Sequence, residues 1–474
     1  MRKTTLLFCL ILSISTALLG QNPSQATKID QFLQAMVAKS NIPGFAIAVV
    51  TKDSVILSKG YGIGSDNRPI TSQTPFAIAS LSKAFTAMSV MQLAAVRKID
   101  ISSPVKRYIP SFELDDPRGQ KITVDHLLHQ TSGLNDKVFP ELAFHHQPTS
   151  LSEAISRLKN VKLGVDPGTK FRYHNPNYQI LAQTVESVSQ QAFPHYLEQQ
   201  IFKPLGMNNT KSVSLTKSFS SSSTRFQNGH IFALGRPISI QEPDWFVEGA
   251  AGMVSNAEDM SKWLRLQLNH GQWNGASLLD SVHLKMMQTS TKTSPYGMGW
   301  FVAPNGTISH SGILWTYSAE QMISANGYGI VILFNGGINL FEDYHAFIQG
   351  VADILDNKTA DVPIVPSWLY PLCAFLIGIL SIGLATRRLF RQNHWYKNYV
   401  RRPAWLTILF LFTRTLPLIL FLCSPYLLTA ISGRVLNWKR IFLMGPDITV
   451  ELTIIVLLNT LVVVRRLYFL AKLR

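Results

Sequence analysis

Three apolar runs near the C-terminus, at about residues 367–385, 405–428 and 448–464, limit what this 474-residue chain can fold into. Each approaches the roughly 20 residues that a helix needs to cross a bilayer, and in hydrocarbon a lone segment satisfies its backbone only as a helix. Tyr370, Trp395, Trp405, Tyr426 and Tyr468 stand near the ends of the runs, where interfacial aromatics belong. Residues 361–474 are therefore expected to form a membrane domain with three transmembrane helices. Arg387, Arg388, Arg391, Lys397, Arg401 and Arg402 lie between the first two runs, and Arg465, Arg466, Lys472 and Arg474 follow the third. The connection between the second and third runs holds only Arg434, Lys439 and Arg440. Because cytoplasmic loops collect Lys and Arg, this bias places the preceding body on the outer side of the cytoplasmic membrane. Arg414 and Glu451 fall inside the second and third runs, at depths differing by roughly 6 Å at the helical rise. An unpaired charge there would cost roughly 3 kcal/mol or more, so the two are expected to pair.

The formal net charge of +16 follows the same geography. From residue 361 onward there are 14 Lys/Arg against 3 Asp/Glu, whereas the body is nearly balanced. No basic nucleic-acid surface is indicated. Residues 1–26 resemble an export signal: Arg2 and Lys3, an apolar run from Leu6 to Leu19, and plausible cut points at Gly20 or Ala26. The three cysteines, Cys9, Cys373 and Cys423, all lie in apolar segments, which leaves no disulfide framework or thiolate metal site in the body.

Residues 27–360 form that body. An amphipathic helix (Ile29, Phe32, Leu33, Met36, Val37) precedes a hairpin of residues 44–50 and 55–59 around Lys52-Asp53. From Leu81 to about Leu284 the pattern is mostly helical. Strands return at 297–302, 306–310, 316–324 and 328–334, with Asn305-Gly306 and Asn326-Gly327 as hairpin turns, and a helix over about 340–355 ends the body. Strands at both ends of a helical insert imply an α+β fold, its antiparallel sheet assembled from distant parts of the chain.

The stretch around Ser80 carries the most chemistry. Ser80 and Lys83 share one helix face, three residues apart, at the start of a long, nearly uncharged helix. A serine hydroxyl needs a base, and a lysine buried among Phe76, Phe85 and Met88 has its pKa lowered toward that role. Tyr173 and Asn175 stand two residues apart in a loop of the insert. A lowered-pKa phenol at Tyr173 could take the Ser80 proton, and Asn175 could donate its amide to a substrate carbonyl. His310, Ser311 and Gly312 end an edge-like strand whose backbone could join that of Ser80 in an oxyanion hole.

Taken together, Ser80-x-x-Lys83, Tyr173-x-Asn175 and His310-x-Gly312 resemble the serine β-lactamase and penicillin-binding protein family, in its class C-like branch. Supporting stretches lie at residues 126–134, 204–207, 250–260 and 296–300. The resemblance covers nearly all of residues 29–355. It implies a β-lactamase/transpeptidase-like fold: an antiparallel sheet flanked by terminal helices, with a large helical insert and the site between them. It also implies acylation of Ser80 followed by hydrolysis, with Lys83 and Tyr173 sharing the base role and no metal or organic cofactor. Asn175, His310, Ser311, Gly312 and Ile313 would bind substrate. The chain departs from the family pattern in three ways. His174 replaces a small residue and is expected to narrow the cleft. Ile313, Trp315 and Thr316 replace glycines after Gly312, and should restrict the acyl pocket while Ile313 still offers its N–H. His310 replaces a lysine, which brings the chain closer to DD-peptidases, D-aminopeptidases and esterases and predicts poor β-lactam hydrolysis. His126 and His129 are spaced like helix-face ligands, but no carboxylate–histidine set accompanies them, so they are read as structural.

The implied protein is a membrane-anchored serine hydrolase acting on D-amino-acid or peptidoglycan-type amides or related esters. The alternatives are a β-lactamase, a small-ester hydrolase, or a non-catalytic module that binds wall peptides or β-lactams. Its partners would be a small peptide or ester substrate, peptidoglycan among the candidates, and the membrane. The membrane segments are expected to take no part in the chemistry, leaving the body active without them.

Overall fold

The structure, a computed structural model, describes residues 24–399 and 403–472. The expected export segment lies outside the described residues up to residue 23. Helix α1, Gln25–Lys39, is capped by Ser24, whose hydroxyl accepts from Thr27 N. A cut after Ala26 would remove that cap, whereas one after Gly20 would keep it.

Strands β1, Gly44–Val50, and β2, Val55–Gly62, follow as the expected hairpin. The insert then supplies α2, Ser82–Ala95, α3, Asn175–Ser189, and α4, Ala257–Leu268. Four strands return: β3, Phe301–Val302, β4, Ile308–Ile313, β5, Ser318–Ile323, and β6, Gly329–Phe334. Helix α5, Tyr344–Leu355, closes the body. The antiparallel sheet runs β3-β4-β5-β6-β1-β2, so the last strand pairs with the first and the insert leaves between β2 and β3.

Every residue of β1 is buried, because both sheet faces are covered. Alternation sorts its side chains. Phe45, Ile47 and Val49 enter the core made with α1 and α5, where the Phe45 ring lies 4.9 Å from Tyr61 and 5.4 Å from Phe347. Ala46, Ala48 and Val50 face the insert, where the two alanines leave room for Trp263 and Leu264 of α4. Strand β2, at the sheet edge, is mostly open to solvent and carries Ser58 and Lys59.

Two elements differ from the sequence pattern. The strand expected over 297–302 is regular only at Phe301–Val302. The turn before it lies against α2, where a Cβ on Gly299 would sit 2.4 Å from the Ala84 Cα. The insert also contains strands too short to show a period of two. Gly229–Ala233 pairs with Arg236–Ile240, and Met253–Ser255 is flanked by Phe76–Ala77 and Lys211–Ser212.

After the body come α6, Leu369–Phe390, α7, Ala404–Ser432, and α9, Pro446–Ala471, each long and apolar enough to cross a membrane. A short helix that the sequence did not suggest, α8 (Trp438–Met444), lies between α7 and α9. The first turn of α9 touches the body: Leu234 N donates to the Asp447 carboxylate at 2.7 Å. The expected Arg414–Glu451 pair does not form. Among the described residues, Arg414 Nε and Glu451 Oε1 are buried without hydrogen-bond partners. The Glu451 carboxylate lies against α6 instead, 2.2 Å from where a Cβ on Gly378 would stand. Matching depths along two helices leaves their rotation free, and rotation decides which neighbour a side chain meets.

Strand β4 reaches the site through one glycine. A Cβ at Gly312 would stand 2.5 Å from the Ile78 carbonyl oxygen and 3.1 Å from the Ala79 Cβ, in the turn that carries Ser80. Gly312→Ala should therefore cost about 1–3 kcal/mol through overpacking. Gly383→Ala, inside α6 with nothing among the described residues within 4 Å of the added carbon, should cost about 0 kcal/mol, since alanine suits a helix better than glycine. Thermal melting of both variants checks this, and an equal loss in the two would contradict the close-approach argument.

Candidate active site

Ser80 sits in a tight turn, Ala79–Leu81, that feeds directly into α2. Ala79 is held at φ +49, a left-handed conformation unusual for a residue with a side chain. Its surroundings hold it there. Ile78 N donates to the Met253 carbonyl at 2.9 Å, and the Ser82 hydroxyl donates to the Ala79 carbonyl at 2.6 Å.

Lys83 is fully buried. Its amine lies 3.1 Å from Ser80 Oγ, 3.0 Å from Asn175 Oδ1 and 2.8 Å from the Ala250 carbonyl oxygen. It also stands 4.9 Å from the Tyr173 ring centre. Burial, and after it the Arg434 charge, holds the Lys83 pKa well below the ordinary lysine value, against an opposing pull from Glu141. In the neutral amine two N–H bonds satisfy the two carbonyl oxygens. The lone pair is then left for the Ser80 hydroxyl, as a base requires.

The other expected site residues line the same cleft, a cavity of about 380 Å³ containing Ser80, Tyr173, Asn175, His310, Ser311 and Ile313. Gly312 is the point of contact with the Ser80 turn. Several details differ from expectation. Tyr173 is not a lowered-pKa phenol: burial pushes it up to about 12, although the Ser80 hydroxyl and Arg434 favour the phenolate. Asn175 does not present its amide to the cleft. Its Oδ1 accepts from Lys83 and its Nδ2 donates to Glu141 at 3.1 Å, so it orients the base.

His310 is neutral, its pKa driven down to about 3 mainly by burial and then by Lys83. Its Nδ1 lies 2.7 Å from the Ser311 carbonyl oxygen, so Nδ1 carries the proton, and Nε2 accepts from the Tyr296 hydroxyl at 2.9 Å. Both nitrogens are thus occupied, and the ring acts as a wall. His174 does not narrow the cleft. It is completely buried behind it, near Glu141 and Phe139. His126 Nδ1 accepts from Thr123 N in a helix cap, and His129 Nδ1 donates to the Tyr296 carbonyl at 2.8 Å.

The family model for Beta-lactamase matches residues 29–349. The chain belongs to that family. Protein flp of Staphylococcus aureus is 27% identical over 94% of this chain and 91% of its own length. The putative penicillin-binding protein PbpX of Bacillus subtilis is 29% identical over 60% of this chain and 69% of its own. Two solved structures share the fold. The penicillin-binding protein homologue from Pyrococcus abyssi has a TM-score of 0.61 at 22% identity, covering 70% of this chain and 78% of its own. The hydrolase EstCE1 has 0.59 at 19%, covering 70% and 98%. The fold is thus β-lactamase/transpeptidase-like, in a serine hydrolase family related to penicillin-binding proteins and esterases, followed here by three long apolar helices.

Within this member of the family, sequence reasoning missed a buried charge cluster beside the base. Arg434, from the connection between α7 and α8, places Nη1 3.3 Å from Asp136 and 3.5 Å from Glu141, with its guanidinium 5.5 Å from the Tyr173 ring centre. Val435 N also donates to Asp136. Burial, then Glu141, raises the Asp136 pKa, and Arg434 opposes both. Asp136, Glu141 and His174 could offer ligand atoms to a metal within 4.8 Å of one another, but the guanidinium already lies against both carboxylates. In the sequence Arg434 registered only as a loop charge, because nothing local ties residue 434 to residue 136. Its position overturns the expectation that the membrane segments stand apart from the site.

The Arg434 charge disfavours the Lys83 ammonium, whereas Glu141 favours it. Arg434→Gln should therefore raise the Lys83 pKa and move the rising limb of the acylation pH profile to higher pH, with Arg434→Lys close to wild type. The rate of Ser80 labelling by a fluorophosphonate measures it. A loss equal at every pH would reduce Arg434 to scaffolding.

Proposed function

We propose that the protein is a membrane-anchored serine hydrolase working through an acyl-enzyme on Ser80. The observation that carries this is the buried Lys83 amine, 3.1 Å from Ser80 Oγ and held by two carbonyl oxygens, with burial lowering its pKa. Lys83 takes the Ser80 proton as Oγ attacks the substrate carbonyl carbon. The N–H groups of Ser80 and Ile313 are assigned to the oxyanion. At a pKa of about 12, Tyr173 stays protonated and serves as the acid that hands a proton to the leaving nitrogen or oxygen, then recovers one from Lys83. Water attack on the ester carbonyl then releases the acid and restores Ser80.

The substrates proposed are amides of D-amino-acid or peptidoglycan type, or related esters. The neutral His310 and the apolar Ile313 wall support an ester-hydrolase variant as the second reading. We further propose an export segment over residues 1–26, a hydrolase body over 27–360 and a membrane part over 361–474, with the body outside the cytoplasmic membrane. Contact between the α7–α9 connection and the body supports placing both on one side.

A fluorophosphonate and a fluorescent penicillin should label the full-length protein, and Ser80→Ala should abolish labelling. Lys83→Ala should slow it by orders of magnitude, because the residues act as a unit. Among D-Ala-D-Ala peptides, nitrophenyl esters and a chromogenic cephalosporin, the cephalosporin should turn over worst. Labelling that survives in Ser80→Ala would sink the nucleophile assignment, and no labelling at all would leave a binding module.

A further inference from the structure

The catalytic cavity has a second arginine from the membrane part. Arg440 of α8 is 5% exposed and lines both the Ser80 cavity and an adjoining one of about 400 Å³. Its Nη1 donates to the Val435 carbonyl, while its Nη2 is buried without a hydrogen-bond partner. Among the described residues no carboxylate forms an ion pair with it. The nearby acids face other groups: Asp136 meets Arg434 and Val435 N, and Glu141 Oε1 meets Arg434 and Asn175, while Glu141 Oε2 has no hydrogen-bond partner. A guanidinium remains charged even when buried, so this one has an unmet need for an anion. Burial lowers its pKa more than Asp136 and Glu141 restore it, with Arg434 opposing as well.

We infer that Arg440, with the cleft-facing side of Arg434, forms a subsite for an oxyanion, a carboxylate or a phosphate, bound beside the scissile bond. The inference rests on the hydrolase reading above and names the substrate class: acyl compounds with a negative charge on the membrane side of the cleft. A planar guanidinium suits both oxyanions, because its parallel N–H bonds match two oxygens. Geometry also restricts where the anion comes from. Another side of α8, with Trp438 and Ile441, lines an apolar cavity of about 470 Å³ against α7 and α9. Arg440 thus stands over the end of the apolar helices, within reach of a substrate's own carboxylate or of a lipid phosphate.

The test compares the p-nitrophenyl monoester of glutaric acid with its methyl-capped diester, using full-length protein in a neutral detergent. Wild type should favour the free carboxylate by roughly tenfold or more in kcat/KM, as a charge-assisted pair would give. Arg440→Gln should bring the ratio near unity, and Arg440→Lys should fall between. Adding phosphatidylglycerol distinguishes the sources. A rise in KM for the monoester in wild type but not in Arg440→Gln assigns the subsite to lipid phosphate as well, and no rise assigns it to the substrate carboxylate. Fluorophosphonate labelling of Ser80 reports folding of each variant and keeps the two proposals apart. Absent labelling of wild type defeats the hydrolase reading. Labelling with equal use of both esters, or a preference that persists in Arg440→Gln, overturns the subsite alone.

Discussion

A lysine amine buried with no carboxylate against it is the constraint on which the site depends. Lys83 meets two carbonyl oxygens and one hydroxyl, all uncharged, while its nearest charged influence by effect is the cation of Arg434. Desolvation and repulsion therefore act in one direction, toward the neutral amine. Much of the surrounding structure fixes that amine's geometry. Asn175 turns its oxygen toward Lys83 because Glu141 holds its nitrogen, and Ala250 presents a carbonyl from the segment leading into Met253–Ser255. Lysine would otherwise be a poor base at neutral pH. Here the fold lowers its pKa through the neighbours it supplies.

The same logic explains why the histidines are silent. His174 and His310 are both buried, and that burial above all drives each down to about 3. Apart from Lys83, the charged groups around the cleft are Asp136 and Glu141 against Arg434 and Arg440. Those four come from two parts of the chain roughly 300 residues apart, and neither part balances its own charges there.

Local pattern made much of this legible. The Asn-Gly turns, the apolar strands and the Ser80–Lys83 spacing each depend on residues within a few positions, and each appears in the structure where expected. What a side chain does once buried was less legible. Tyr173, Asn175 and His310 occur at the expected places, yet burial and second partners change their roles: an acid with a high pKa, an orienting amide, a neutral wall. Arg414 and Glu451 failed for a related reason, since sequence gives depth along a helix but not rotation about it. Arg434 could not be found at all, because its significance comes entirely from the docking of a loop onto Asp136.

That docking decides how the two parts depend on each other. Asp136 and Glu141 are almost fully buried, and Arg434 is their only ion-paired arginine among the described residues. Removing one partner from a buried charge pair typically costs about 3–5 kcal/mol, because the other is left without compensation. A body lacking the apolar helices and their connections would hold two neighbouring carboxylates with no guanidinium, beside a lysine whose ammonium Glu141 favours. It would relieve that strain by taking up protons on the acids or on Lys83, and the second of these removes the base. The apolar helices are therefore coupled to the body's cleft and not merely appended to it. Through one short connection they complete the electrostatics that hold the Lys83 pKa down.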